Sequence, residues 1–410
     1  MLFQTLTPRS SGILACLLLP LMLLSSHGCG DSPGSGASDD WFCGSRPDPF
    51  VVAADKLFFG AGGGRGDGRS LWVIDGDRRP SLVEDLADSG IGPGWNQYDF
   101  VVHNGQLYFF GFDSKNDSER GIWRTDGSES RRIDISALEG QSKYRSAVSL
   151  GDAIYFSALL GFDNGNWDHS NIWRLDNDDQ FSLVTQTPGK RAISNLTAFE
   201  DRLIFSTLRK HSAPREIELW ELLLGPGETP RKIADLNASA SNFQVLEGVL
   251  FFAVDKEYVW SYNGVDPPVR AAVGGLVTDS VLFDGEIYYS HGFSPDLRAF
   301  SPDRGDRLID RANAAASGIR IIDIFDGRIL VGARFGELWI LSDTGVLQKI
   351  DYEGRETVTG TQGTAYRGNV WFGVGKEKDE ELWAFDGERT QRVKAASPGL
   401  DCADRVSTDN

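Results

Sequence analysis

Residues 99–135 read DFVVHNGQLYFFGFDSKNDSERGIWRTDGSESRRIDI. Four short apolar runs lie between turn dipeptides: Asp99 to His103, Gln106 to Gly111, Gly121 to Thr125 and Arg131 to Ile135. Asn104-Gly105 and Asp126-Gly127 both accept the positive φ that a two-residue type I′ hairpin demands. The stretch predicts a four-stranded antiparallel meander, strands A to D. It recurs. Trp72, Trp123, Trp173, Trp220, Trp260, Trp339 and Trp383 mark successive copies, with Phe300 taking the missing place, at intervals of about 40 to 50 residues. That period is the spacing of propeller blades, so the predicted fold is an all-β, eight-bladed β-propeller of four-stranded antiparallel blades from Pro49 to Lys394. Demoting the weak sixth unit, which has Phe300 for Trp and Pro302 in its turn, would leave seven.

The other copies repeat the same punctuation. The A to B turn is read at Gly151-Asp152, Glu200-Asp201, Glu247-Gly248, Asp284-Gly285, Asp326-Gly327 and Gly368-Asn369. The C to D turn is read at Asp75-Gly76, Asp176-Asn177, Asn263-Gly264, Asp343-Thr344-Gly345 and Asp386-Gly387. B strands such as Leu57-Phe58-Phe59, Leu203-Ile204-Phe205 and Val370-Trp371-Phe372 are apolar on both faces, as a sheet covered on both sides requires. The tryptophans are expected between blades as packing residues.

The ends predict an address. Residues 1–28 carry one basic residue, Arg9, and an apolar stretch from Ile13 to Leu24 broken at Pro20, the pattern of a secretory leader. Ser26-His27-Gly28-Cys29 resembles a bacterial lipoprotein cleavage site, which implies acylation of Cys29 and a Gly/Ser-rich tether behind it. The expected division is a leader at 1–28, a tether at 29–44, one propeller domain at 45–402 and a tail at 403–410. Expected localisation is the cell envelope, at the outer membrane or cell surface, with the membrane contacted through lipid alone. Cys43 and Cys402 flank the repeats and, in an exported chain, are expected to pair. Closing so long a loop would stabilise by up to about 5 kcal/mol.

Glu218-Leu219-Trp220, Glu337-Leu338-Trp339 and Glu381-Leu382-Trp383-Ala384-Phe385-Asp386-Gly387 resemble the ELWxxDGT-type repeats of exported bacterial propeller proteins. The Thr after Asp-Gly is replaced by Asp77, Ser128 and Glu388. The resemblance implies a propeller and carries no catalytic residue with it.

Catalytic signatures are sparse. His103, His169, His211 and His291 are widely spaced and form no His-Glu-x-x-His pair, no Gly-x-Ser-x-Gly elbow is present, and the Gly60 to Gly68 run matches no phosphate-binding spacing. The formal charge of −18, one more negative once Arg9 is lost, would repel nucleic acid. No cofactor is expected except calcium: the acidic loops with Asp113 and Asp117, and with Asp163 and Asp168, supply the oxygen ligands it takes. In a propeller the D to A and B to C connections share one face, and the first four B to C connections are the long ones. On that face the D to A connections carry Trp95, Lys143, Tyr144, Arg145, Lys190, Arg191, Arg320 and Arg355, aromatic and cationic groups that would suit an anionic or sugar ligand. The reading is therefore a monomeric, lipid-anchored, non-catalytic binding or scaffold protein for a protein or glycan partner. The alternative is an enzyme on envelope or environmental polysaccharide using Asp113, Asp163 or Asp168, which would need two carboxyls within about 5 to 10 Å.

Overall fold

The hairpins explain why the chain folds back where it does. Six A to B turns close on two consecutive left-handed residues: Ala54-Asp55, Asn104-Gly105, Glu247-Gly248, Asp284-Gly285, Asp326-Gly327 and Arg367-Gly368, with φ between 45° and 76°. Gly or Asn/Asp fills most of those places because a Cβ costs least there. In the eighth blade the turn lies one residue before the expected Gly368-Asn369. Tyr366 pairs with Asn369, so Asn369 begins strand B, where it is buried and its Nδ2 donates to Arg367 O at 3.2 Å.

The C to D turns use a side chain as well. Asp126 Oδ1 accepts from Ser128 N (2.7 Å) and Glu129 N (3.0 Å). Asn263 Oδ1 does the same for Val265 N and Asp266 N, and Asp386 Oδ1 for Glu388 N and Arg389 N. The following Gly127, Gly264 and Gly387 stand at φ 85°, 81° and 98°. The Asp-Gly signature is thus an Asx turn followed by a left-handed glycine.

In this computed structural model the described residues are 47 and 49–393, apart from 63–68, 77–78, 84, 87–90, 94–99, 114–120, 139–140, 161–168, 188–190, 210–215, 226, 237, 239, 255–257, 274–276, 292–293, 313–317, 334–336, 351–362 and 375–380. They form eight antiparallel sheets, each from one contiguous piece of chain, in the strand order A-B-C-D; the second has an added strand, Ile91–Pro93, beside its B strand. The chain is an eight-bladed β-propeller. The A strands are Phe50–Ala53, Phe100–His103, Gln141–Leu150, Ala192–Phe199, Ala240–Leu246, Val277–Phe283, Ile319–Phe325 and Thr364–Tyr366. Each touches the A strand of the next blade, and Thr364–Tyr366 touches Phe50–Ala53, so the A strands form the innermost ring. Cys29, Cys43 and Cys402, and with them the acylation and the disulfide, lie outside the described residues.

Eight apolar clusters fill the eight spaces between blades. Leu57, Phe58 and Phe59 are fully buried, as are Leu203, Ile204 and Phe205, because each B strand buries one face against each neighbour. A side chain of that size contributes roughly 1.5–3 kcal/mol on burial. Each tryptophan packs toward the preceding blade: Trp339 with Leu297 and Ala299 of the sixth, Trp383 with Leu338 and Ile340 of the seventh. Trp72 meets Trp371 and Leu382 of the eighth, which closes the ring; among the described residues no strand is shared between first and last blades.

The sixth blade departs from the sequence reading. Tyr289 pairs with Arg298, in the register where Phe109, Phe205 and Phe372 pair with Trp123, Trp220 and Trp383. Arg298 therefore occupies the tryptophan place. Phe300, two residues on, pairs with Ile287 and fills the space toward the fifth blade against Phe251, ring centroids 5.2 Å apart.

Candidate functional site

The strand order puts all A to B and C to D turns at one end of the ring and all B to C and D to A connections at the other. At the turn end every A to B connection is two residues long, and the C to D connections run from three residues (302–304) to seven (224–230). At the loop end the segments between B and C strands are 63–68, 114–120, 161–168 and 210–215 in the first four blades, against 255–257, 292–295 and 334–336 in the next three.

The inner strands build the wall of the axial channel. Their last residues, such as Ala53, Phe199, Leu246, Phe325 and Tyr366, enter the space toward the following blade. The residues just before them, Val52, Val102, Ser149, Ala198, Val245, Leu282, Ile324 and Ala365, alternate to the opposite face of each strand and are half-buried or exposed, aliphatic except for Ser149. Polar side chains stitch the same strands together. Asn195 Nδ2 donates to Ala240 O (2.6 Å), Thr364 Oγ1 to Phe50 O (3.2 Å), and Asp323 accepts from Ala365 N (2.5 Å). His103 Nδ1 meets Ser149 Oγ at 2.8 Å and its Nε2 meets Asn177 Oδ1 at 2.9 Å, joining the second blade to the third. Burial raises the pKa of the Asp323 carboxyl, and the two backbone N–H groups of Ile324 and Ala365 only partly offset it.

Three of the nominated ligand-binding groups have described side chains, all near the loop ends of inner strands. Tyr144 is stacked on Phe110 (5.4 Å, 19°) and edge-on to Phe156 (6.0 Å), between the second and third blades. Arg191 lies between Glu216 (3.0 Å) and Glu218 (3.2 Å), with 11% of its side chain exposed. Arg320 is exposed on the inner strand of the seventh blade. Tyr144 and Arg191 thus belong to neighbouring blades and Arg320 to a third, away from both. Arg145, Lys143 and Asp113 are described in backbone only, and Trp95, Lys190, Arg355, Asp117, Asp163 and Asp168 lie outside the described residues. Among the described residues no group of three His, Cys, Asp or Glu could hold a metal ion, and no helix is long and apolar enough to cross a membrane.

What the sequence reading missed is the use of the glutamate before Leu-Trp. Trp220 Nε1 donates to Glu218 Oε2 (3.2 Å) and Trp383 Nε1 to Glu381 Oε2 (3.0 Å). The same glutamates pair with the outer-strand cations opposite the indoles, Lys232 at 3.5 Å and Arg392 at 3.0 Å. In the seventh blade Lys349 binds Glu337 at 2.7 Å and lies 6.0 Å from the Trp339 ring. In the fifth, Tyr258 replaces the glutamate and Arg270 stacks on it, 3.5 Å from the centroid. A Lys or Arg shortly after the C to D turn of every blade but the third was the signal for this pairing.

Buried carboxylates at the turn end are all engaged. Glu286 is held by Arg307, Arg304 (3.5 Å) and Ser301 Oγ (3.3 Å); burial raises its pKa, but the Arg307 bond and charge with the other partners outweigh burial and hold it below the usual range. Asp306 takes two bonds from Arg298 (3.0 and 2.8 Å) and one from Tyr289 Oη (2.5 Å). Glu221 is bonded by Arg231 and by Tyr262, whose phenol burial and the Glu221 bond push up to about 12. These groups hold the blades.

No family model and no curated protein sequence matches the chain. Solved structures do. The computationally designed Ika8 protein aligns at a TM-score of 0.55 with 11% identity, over 85% of this chain and 98% of its own. A prolyl endopeptidase aligns at 0.51 with 12% identity, over 88% of this chain and 55% of its own. BamB from Moraxella catarrhalis aligns at 0.44 with 12% identity, over 86% of this chain and 96% of its own. At such identities the first two matches speak for the propeller fold alone.

Proposed function

We propose that the chain is a lipid-anchored envelope protein that binds a partner protein through its propeller and performs no catalysis. The observation that carries this is the contrast between the two ends of the ring: one has eight two-residue A to B turns and C to D connections of three to seven residues, the other has connections of three to thirteen residues. A rigid frame with variety gathered at one end is the usual arrangement of a binding module. The fate of Tyr144 and Arg191 favours protein over glycan, since the ring and the cation nominated for sugar or anion are committed to aromatic packing and to two carboxylates. Cys29 supplies the anchor, and Cys43 with Cys402 a covalent clasp.

A glycan array with the mature protein tests the partner class: absence of sugar binding is expected, binding without turnover would replace the protein partner by a glycan, and turnover would establish the enzyme instead. Growth with a tritiated fatty acid is expected to label wild type and not Cys29→Ala. An unlabelled wild type would remove the anchor.

A further inference from the structure

We propose that the outer strand of the third blade, Phe181–Gln186, is a docking edge that takes an extended segment of the partner protein by strand addition; this deepens the partner-binding reading and rests on it. Among the described residues each D strand has a neighbour on one side only, so it presents one row of backbone N–H and C=O groups outward. Proteins protect such edges with charge, because a charged side chain resists burial under an added strand.

The ring follows that rule with one exception. Arg131 and Arg132 stand on the outer strand of the second blade, Arg231, Lys232 and Asp235 on the fourth, Arg270 on the fifth, Asp306, Arg307, Asp310 and Arg311 on the sixth, Lys349 on the seventh and Arg392 on the eighth. The outer strand of the first blade is the two residues Ser81–Leu82. Among the described outer strands only Phe181–Gln186 combines six residues with no charge. The uncharged run extends from Gln180 to Gly189. Opposite Trp173, in the register that gives Arg132, Lys232, Arg270, Lys349 and Arg392 to other blades, stands Leu183, 47% exposed. Ser182 and Gln186 are exposed beside it, and Val184 and Thr185 are strand-forming residues at the bulge common to several outer strands.

Charge and size select the occupant. A second copy would bring another −18 to the edge, and two six-residue strands cannot bury the roughly 1,000 Å² that a lasting dimer needs. The strand begins beside the turn Asp176 to Asp179. There Asp179 is paired with Arg124 and Arg131 and Asp176 caps its own turn, while Asp178 is exposed and makes no ion pair among the described residues. The matching segment has an uncharged, β-prone centre that covers Leu183 and a Lys or Arg at the end that meets Asp178. Main-chain bonds would supply the affinity and those two contacts the selectivity.

The probe is a display library of random linear peptides selected against the full chain. Selected peptides are expected to protect the amides of residues 181–186 from hydrogen exchange and to lose at least about tenfold in affinity to the Leu183→Lys variant. N-methylation of alternate peptide amides should remove binding, since strand addition needs those donors. Lysine already occupies this register in two other blades, so an unchanged melting temperature for Leu183→Lys separates edge blocking from misfolding. Peptides that bind Leu183→Lys as tightly as wild type, with protection elsewhere, overturn the edge and leave the partner-binding reading standing. A selection that yields no binder to either form overturns both.

Discussion

Single residues carry more than their position in the repeat announced. Asp126 is a turn residue in every sequence sense, yet the N–H groups of Glu129 and Ser128 bind its carboxylate and hold its pKa below the ordinary value. Asp126→Ala should cost about 1 kcal/mol at neutral pH, as loss of a side-chain cap does elsewhere. The sign with pH follows from the depressed pKa. The stabilisation is fully present above the unfolded-state pKa and is lost as pH falls through the folded one, so melting curves of variant and wild type should converge in acid. Asp323 runs the other way, because its folded pKa is raised. Its ionised form costs stability above that pKa, and the cost lifts as pH falls through it. At pH 7 Asp323→Asn should melt no lower than wild type, whereas Asp323→Ala should lose roughly 0.5–1.5 kcal/mol with the bond from Ala365 N–H; thermal denaturation separates the two.

At the scale of strands and turns, the sequence displayed its most local features most clearly. Two-residue hairpins and double-aromatic B strands are chemistry within a few positions, and the four strands of the second unit fall within two residues of the predicted bounds. Registers set by distant chain were harder to see. Phe300 kept the spacing of a tryptophan, but the hydrogen-bond ladder places Arg298 there, because Asp306 and Tyr289 await a cation across the sheet. Gly368-Asn369 looked like a turn for a similar reason, since nothing local shows that Asn369 will be buried. The nominated site was legible only as a set of loops. That Arg191 would face Glu216 and Glu218 depends on how the third blade hands over to the fourth. The Arg298 account makes its own forecast: Arg298→Leu should lower stability by about 2 kcal/mol by stranding the Asp306 carboxylate, and Asp306→Asn in the same chain should recover part of it in a double-mutant cycle.

The whole ring depends on a seam between the two ends of the repeat. Phe50, Phe59 and Trp72 meet Tyr366, Trp371 and Leu382 there, and Tyr366 Oη donates to Asp55 O at 2.6 Å. Because every blade is one contiguous segment, the blade at which the chain starts is arbitrary to the packing. A circular permutant with residues 49 and 393 joined by a short linker, and new ends between Leu236 and Ala240, should fold to the same far-ultraviolet circular dichroism spectrum. Loss of that spectrum would show that the seam needs its native ends. Trp371→Ala should cost about 3–5 kcal/mol, as removal of a fully buried tryptophan does in other cores, and a smaller loss would mean that the seam is looser than its burial indicates.

The contiguous blades also set a timetable. As the chain emerges with its N-terminus first, each new blade can cover the exposed face of the one before it, but Phe50 and Trp72 wait for the final blade. Two aromatic-rich faces, one on the first blade and one on the newest, stay open to water until the eighth blade is made. The nascent chain therefore carries its greatest risk of sticking to its neighbours just before completion, and a chain cut short by even one blade would keep that risk for good.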